Sequence, residues 1–356
     1  MTTVVDSNVT VTHVALICPF SSGPGRGNIT TVRRIAMYLP AAGCRITQVS
    51  LDVMSVKEQH VVIDQAHPDL LHAFHAFHAG PTARQASQRL GIPYMITITG
   101  SDLFDETISN TVETRLAIND ADAITCFDSL VAQHLIKIYP KITDRLSVIP
   151  QGVAPLPVID QFPHSDDIFL ILLPAALRPV KGITDAITAL TPLALTFPSL
   201  RLLVVGGSID QDYACEVRRM TVALPWVQLL GDVHFQQMGA LYAAADLVLN
   251  SSLFEGGMSN ALLEAMAAGR PVIVRNIVGN RSLVRHGDTG WLYDSEEELR
   301  ELVLRVLFDP HCSGKVAETG RNFVLEHYSP QTEAHSYAAQ YERLIQIKKQ
   351  FQSQWN

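Results

Sequence analysis

The 356 residues suffice for two domains at about 150 each, and 47% hydrophobic against 17% charged residues excludes an intrinsically disordered chain. Lys and Arg number 27 against 35 Asp and Glu, a net charge of −8, which is the wrong sign for a protein that holds nucleic acid by neutralising phosphates. Five cysteines without a CxxC pair indicate neither a disulfide framework nor a cysteine zinc site, and a reducing, cytoplasmic setting is expected.

In chain order, residues 9–18 are β-branched and apolar, a glycine loop follows through Gly27, and Ile29, Val32, Ile35, Ala36 and Leu39 then recur at helical spacing. The same alternation predicts strands over 70–74, 94–99, 123–127 and 146–150, and helices near 81–90, 109–119 and 129–139. Pro155, Pro157 and Pro163 interrupt residues 151–167, which reads as an interdomain linker. Beyond it the pattern resumes, with strands over 169–175, 200–205, 227–230, 247–250, 271–275 and 290–293 and helices over 183–195, 238–245, 260–268 and 296–308. Nearly continuous apolar strands are what parallel sheets covered on both faces require. The expected fold is therefore α/β, with two Rossmann-like doubly wound domains, 1–158 and 159–328, facing a cleft, and a C-terminal helix over 329–356 packing back on the first. Residues 1–6 lack a basic stretch and the longest apolar run, 168–177, is broken by Pro174, so neither a signal peptide nor a transmembrane segment is expected.

The densest candidate site is LNSSLFEGGMSNALLEAMAAGRPVIVRNIVGN, starting at Leu249. A strand end leads to Glu255, a Gly256–Gly257 turn, and a helix capped by Ser259 or Asn260 whose first turn offers backbone N–H groups to an anion. Glu264, set among apolar neighbours one turn inside, requires a hydrogen-bonding partner, and a vicinal diol would serve. LRPVKG places Arg178 and Lys181 between a strand and a helix, where both can meet phosphate oxygens.

These passages resemble the retaining glycosyltransferases of family 4, the "glycosyl transferases group 1" domain of GT-B architecture, and within it the subgroup of glycosyltransferase 1 domain-containing protein 1. The resemblance implies that Glu264 holds the ribose of a nucleoside diphosphate sugar, that Glu255 and the amides of Gly257, Met258 and Ser259 address the sugar and diphosphate, and that Arg178 and Lys181 stabilise the leaving group. It places the base against Val233, His234 and Phe235. The family's two glutamates usually stand eight positions apart, whereas Glu255 and Glu264 stand nine apart, as though one glycine were inserted. Gly25, Gly27 and Asn28 resemble the family's glycine-rich loop at the donor and acceptor interface. HAFHAG resembles the subgroup's LHxYRAG, which implies that His75 lies near the donor sugar and acceptor and that His78 stands on the acceptor side where a basic side chain is usual, and TGSDLF resembles the family's TGTD turn, which makes Asp102 a candidate for acceptor hydroxyls or for a helix cap.

The expected activity is metal-independent, retaining transfer of a sugar, from a UDP-sugar by preference, to a glycan or small acceptor (EC 2.4, hexosyltransferase type), with no cofactor and at most weak peripheral membrane contact. Fixed positive charge and a helix N-terminus take the place of a metal. A catalytically silent sugar-nucleotide-binding protein is the alternative, and an NAD-dependent oxidoreductase the next, although no GxGxxG fingerprint is present and Asp52 alone could serve the ribose. His72, His75 and His78 have no acidic or cysteine cluster nearby to complete a metal site. The DxD triplet Asp210–Asp212 reads as a helix cap, and Arg26, Arg33, Arg34 and Arg45 as a solvated basic patch.

Overall fold

The computed structural model describes residues 11–21, 27–163, 165 and 167–353. Two six-stranded, all-parallel sheets organise it. The first contains β1 (Thr12–Cys18), β2 (Cys44–Ser50), β3 (Leu70–Phe74), β4 (Tyr94–Thr97), β5 (Ala123–Cys126) and β6 (Leu146–Val148), ordered β2-β1-β3-β4-β5-β6. The second contains β7 (Phe169–Pro174), β8 (Leu200–Val205), β9 (Val227–Gly231), β10 (Leu247–Asn250), β11 (Val272–Arg275) and β12 (Trp291–Tyr293), ordered β12-β11-β10-β7-β8-β9. Residues 149–163, where the prolines cluster, contain no helix or strand.

Helices of the first half are α1 (Gly27–Tyr38), α2 (Val56–Ala66), α3 (Gly80–Leu90), α4 (Ser101–Phe104), α5 (Glu106–Ser109), α6 (Val112–Asp120) and α7 (Ser129–Ile138). Those of the second are α8 (Ile183–Thr196), α9 (Gln211–Thr221), α10 (Met238–Ala244), α11 (Asn260–Ala267), α12 (Val278–Arg281), α13 (Glu296–Phe308), α14 (Pro310–His327) and α15 (Pro330–Ser353). Each sheet is covered on both faces, and strand interiors such as Val14–Cys18 and Ile171–Leu173 are wholly buried. The alternating pattern did not single out β2 and α2: β2 reads CRITQVS, with Arg45 and Gln48 exposed at a sheet edge, which removes the continuous apolar run. Helix α15 leaves the second domain's chain and packs on the first sheet, where Ala334, Tyr337, Tyr341 and Leu344 join Val14, Leu16, Ile35 and Phe74 in one core.

In doubly wound sheets the ligand crevice lies where neighbouring strands send their crossovers to opposite faces. That point falls between β1 and β3 in the first sheet and between β7 and β10 in the second. The four segments leaving those carboxyl ends are the approach to α1, His75 with its neighbours, residues 175–182 and residues 251–259. Strand order therefore directs two of these segments to the crevice of each sheet, and the facing of the two sheets brings all four to one cleft.

Candidate active site

A cavity of about 560 Å³ lies between the sheets. From the first it is lined by Phe20, Gly27, Asn28, His75, His78 and Thr99 to Ser101, and from the second by Arg178, Lys181, Val233, His234, Phe235, Glu255, Gly257, Met258, Ser259 and Glu264. Of the residues singled out in the sequence, Gly25 lies outside the described residues and Asp102 does not reach the cavity wall.

Lys181 ends a single 3-10 turn, Pro179–Lys181, at the exit of β7, and Gly182 behind it adopts φ +56°, with a Cβ there meeting the Ser251 carbonyl oxygen at 2.4 Å. Only glycine accommodates both the left-handed backbone and that contact. The Lys181 Nζ lies 2.5 Å from Glu255 Oε1 and 3.3 Å from Ser252 Oγ, and the Ser252 hydroxyl donates to the same carboxylate oxygen at 2.7 Å. Burial alone would raise the Glu255 carboxyl, but the charge and hydrogen bond of Lys181, the Ser252 hydroxyl and the charge of Arg178 outweigh it and hold Glu255 below the usual carboxylate range. The result is a preoriented ammonium, with Arg178 on the same wall, facing the cavity.

Ser259 occupies the N-cap of α11 without a side-chain capping bond, which leaves the first-turn N–H groups of a helix whose first residues line the cavity without a side-chain cap. One turn further, Glu264 Oε2 lies 3.0 Å from the Tyr242 hydroxyl, which also stands 3.2 Å from the Ala261 carbonyl. Burial pushes the Glu264 carboxyl up to about 7, against the opposing hydrogen bond from Tyr242 and charge of Arg34.

His75 is one of two non-glycine residues with positive φ among the described residues, at +91°, a conformation that costs about 1–3 kcal/mol and persists only where the surroundings enforce it. Its backbone N–H donates to the Thr97 carbonyl at 3.0 Å, and its own carbonyl accepts from Ala79 at 3.0 Å. The His78 N–H donates to Nδ1 at 3.3 Å, which puts the ring proton on Nε2, 2.9 Å from Ser101 Oγ. Burial lowers the imidazole's pKa more than nearby Asp102 raises it, so His75 is a neutral, rigidly held group.

The carboxylate of Asp102 is wholly buried and accepts from the backbone N–H groups of Ala76 at 2.8 Å, Thr99 at 3.0 Å and Gly100 at 2.8 Å. It ties the exit of β3 to that of β4, and the N-cap of α4 is Gly100. Neither acceptor hydroxyls nor a capping role therefore describes Asp102: its oxygens are turned inward and saturated. His72 is likewise internal, bonded to the hydroxyls of Tyr341 and Thr97 at 2.7 Å each, and burial lowers its pKa to about 3. Among the described residues no three His, Cys, Asp or Glu side chains gather as a metal site. Asp210 of the DxD triplet caps α9 through the Tyr213 N–H at 2.9 Å.

Of the expected basic patch, Arg33 and Arg45 are exposed, whereas Arg34 is drawn inward. Arg45 bonds His13 Nδ1 at 2.7 Å, Arg26 lies outside the described residues, and Arg34 is not solvated: its side chain is 12% exposed. Arg34 donates to Glu333 Oε2 at 2.6 Å, Glu333 Oε1 at 3.0 Å, Asn260 Oδ1 at 2.7 Å and Gln151 Oε1 at 3.0 Å. Asn260 in turn donates to the Gly27 carbonyl at 3.1 Å, while Gln151 donates to the Met258 carbonyl. Four remote segments, α1, the linker, the start of α11 and α15, thus meet in one polar clamp behind the cavity. Sequence reasoning missed it because Arg34 and Glu333 stand 299 positions apart, beyond any periodic signal.

The doublet after Glu255 has a steric role. A Cβ on Gly256 would stand 1.8 Å from Gly100 Cα across the cleft, and one on Gly100 would stand 2.7 Å from Gly256 Cα. The two domains touch there through bare backbone. Gly256→Ala forces that contact apart, and overpacking of this kind costs about 1–3 kcal/mol, so the melting midpoint is expected to fall by several degrees. Calorimetry on the variant measures this, and an unchanged midpoint would show that the two backbones are not held in contact.

With that geometry in view, the comparisons decide the family. Residues 169–309 match the family described as Glycosyl transferases group 1, and residues 12–155 match Glycosyltransferase Family 4. The chain belongs to the GT-B glycosyltransferases. The transferase is 24% identical over 331 residues to glycosyltransferase 1 domain-containing protein 1 of Xenopus tropicalis, covering 87% of this chain and 92% of that protein. Among solved structures, sucrose-phosphate synthase from Thermosynechococcus elongatus superposes with a TM-score of 0.78 at 19% identity over 94% of this chain and all of that one, 100%. Anabaena HepE in complex with UDP-glucose gives 0.73 at 19% identity over 92% and 98% of the two chains. No described helix of the transferase is long and apolar enough to cross a membrane.

Proposed function

We propose that this glycosyltransferase moves a sugar, with retention of anomeric configuration and without a metal, from a UDP-sugar to a hydroxyl acceptor in the cleft between its domains. The observation that carries the reading is the convergence of Arg178, Lys181, Glu255, Glu264 and the uncapped start of α11 on one wall of a single cavity, opposite His75. Arg178, Lys181 and the α11 amides would hold the diphosphate, Glu264 the ribose hydroxyls, and the stretch from Val233 to Phe235 the base. The cations would stabilise charge growing on the leaving diphosphate, work a metal does in other transferases. The acceptor hydroxyl would attack C1 from the face that the diphosphate leaves. The C1–O bond to phosphate breaks as the bond to the acceptor oxygen forms, and a leaving phosphate oxygen takes the hydroxyl proton. Glu255 and neutral His75 would position the sugar and shield the oxocarbenium-like transition state, and domain closure would exclude water. The nearest support for uridine is that HepE, a structural neighbour, is described in complex with UDP-glucose.

Thermal-shift titration with UDP, GDP, ADP and NAD tests the reading. Ligand at a hundred times its Kd adds about 2.7 kcal/mol, so UDP is expected to raise the midpoint by several degrees in the native protein and not in the Arg178→Ala, Lys181→Ala double variant. A response to NAD alone would overturn it.

The raised Glu264 carboxyl adds a pH prediction. An acid with a native pKa of about 7 binds more protons folded than unfolded between its ordinary value and 7, so this group's contribution to stability falls as pH rises through that window. Ribose hydroxyls donate to the ionised form, so UDP should bind more tightly as pH rises from 6 to 8. The phosphate of UDP titrates in the same range, and the effect is therefore read as the difference in Kd slope between the native protein and Glu264→Gln. Equal slopes would remove Glu264 from the ribose site.

A further inference from the structure

Around Glu264 there are more hydrogen-bond acceptors than protons to serve them. The Tyr242 side chain on α10 is wholly buried, and its hydroxyl stands 3.0 Å from Glu264 Oε2 and 3.2 Å from the Ala261 carbonyl oxygen. Burial first, and then the charge and hydrogen bond of Glu264, hold the phenol well above its ordinary range, so it keeps its proton near neutral pH. When Glu264 is ionised, that one proton faces two acceptors. When Glu264 is a neutral acid both contacts are made, the carboxyl donating to the phenol oxygen and the phenol to Ala261. Ala261 lies in the first turn of α11, where a carbonyl also has the amide four residues on as a partner, so it can lose the phenol at small cost. Asp232, His234 and Glu255 share the cavity, but besides burial the influences on the Glu264 carboxyl come from Tyr242 and from Arg34 of α1. Of the other elements around α11, β10 carries no titratable group, Arg321 of α14 donates to the Ala267 carbonyl at the far end, and Arg275 of β11 pairs with Asp185.

We propose that Tyr242 is the positioning residue of the ribose site, its hydroxyl turning from the Ala261 carbonyl to the Glu264 carboxylate as a vicinal diol binds and a proton leaves. The inference rests on the donor reading above and adds how that site is regulated. In the empty site burial favours the neutral carboxyl, and the chain from Glu264 through Tyr242 to Ala261 accommodates its proton. A diol brings two hydroxyl protons that need acceptors, and an ionised carboxylate supplies them at both oxygens. Binding therefore releases the carboxyl proton to solvent, and Tyr242 donates to the charge that remains, replacing water that the buried group has lost. Of its two bonds the one to the ionised carboxylate is charge-assisted and the stronger, so Tyr242 on balance favours ionisation. The diol selects the ionised form, and Tyr242 sets the pH at which that form is reached: without the phenol, burial is opposed by Arg34 alone.

Isothermal titration of the full chain with UDP and with 2′,3′-dideoxy-UDP across the neutral pH range tests this, because the ratio of the two Kd values isolates the diol and cancels the titration of the phosphate they share. In the native protein the preference for UDP is expected to grow as pH rises and to level off above about 7. Tyr242→Phe, which keeps the ring, should move that levelling about one pH unit higher and so lower the preference about tenfold on the acid side, while the affinity for dideoxy-UDP stays within about twofold. Glu264→Gln should make the ratio independent of pH with either residue at position 242. A Tyr242→Phe profile that coincides with the native one would overturn the proposal, as would a native preference that does not vary with pH. A loss shared equally by both nucleotides at every pH would also overturn it, because Tyr242 would then only support the fold. Equal affinity of the native protein for the two nucleotides would remove the diol from Glu264, and the inference with it, while leaving the diphosphate site standing. A native protein that binds neither nucleotide would overturn the donor reading itself.

Discussion

Lys181→Ala is expected to lower kcat with a UDP-sugar by about a hundredfold to a thousandfold, the cost of removing one preorganised electrostatic contact to developing charge. The ammonium lies 2.5 Å from Glu255 in a setting where the two side chains are only 15% and 13% exposed, so the ion pair is sheltered from the screening that makes surface pairs weak. On the proposed reading its removal does two things: the leaving diphosphate would lose a cation, and Glu255 loses the largest of the influences that offset its burial. Glu255 should then titrate upward, so that the variant's remaining activity depends on pH in the acid range where the native enzyme is flat. Because both residues act as one unit, Lys181→Ala combined with Glu255→Gln should cost far less than the product of the single losses. Lys181→Arg, which keeps the charge but not the compact geometry, should recover part of kcat. Initial rates across pH for the native protein and the four variants measure all of this, and a Lys181→Ala variant retaining more than a tenth of native kcat would remove Lys181 from the leaving-group site.

Glu333→Ala is expected to destabilise the fold by about 3–5 kcal/mol, the usual cost of leaving a buried charge without its partner. Glu333 is 3% exposed and accepts from Arg34 at two atoms and from the Gly152 N–H at 3.1 Å. Its loss strands the Arg34 guanidinium and a linker amide together. For domains of this size the melting midpoint should fall by on the order of ten degrees. Replacing Arg34 by Met and Glu333 by Leu should restore much of the loss, since an apolar pair of similar volume avoids the desolvation that the ion pair only offsets. Because Arg34 also holds Asn260 at the start of α11, that restored protein is expected to close poorly and to turn over slowly despite its stability. Calorimetry on the single and double variants, with kcat on the double variant, separates the structural from the positioning role. A midpoint shift below about two degrees in Glu333→Ala would show that the pair behaves as a solvated one.

Much of this site was legible before any coordinates. Glu255, Glu264, Arg178 and Lys181 each sit in a short local phrase, a strand end running through a turn into a helix, and local backbone geometry is enough to bring such residues to a sheet's carboxyl edge. His75 was legible as a strand-end residue, though its φ of +91° and its bond to Ser101 were not. Asp102 shows where local reading stops. TGSD fits an acceptor contact and a helix cap equally well, and only the position of the Ala76 amide, 26 residues earlier, determines that its carboxylate is spent on backbone. The extra glycine after Glu255 is a second case, since its reason is the Gly100 backbone on the other domain.

What the sequence by itself determined is therefore the order of the strands and helices other than β2 and α2, the proline-marked linker and the chemistry available at each strand end, because apolar periodicity and turn chemistry act over a few residues. What only the tertiary structure decided is which of those ends share a cavity, that Arg34 is buried in a clamp while Arg33 is left facing the cleft, and that Gly100 and Gly256 bring the two domains into backbone contact. Those outcomes depend on segments up to 299 positions apart packing at van der Waals distance, and no periodicity along the chain encodes a contact of that range.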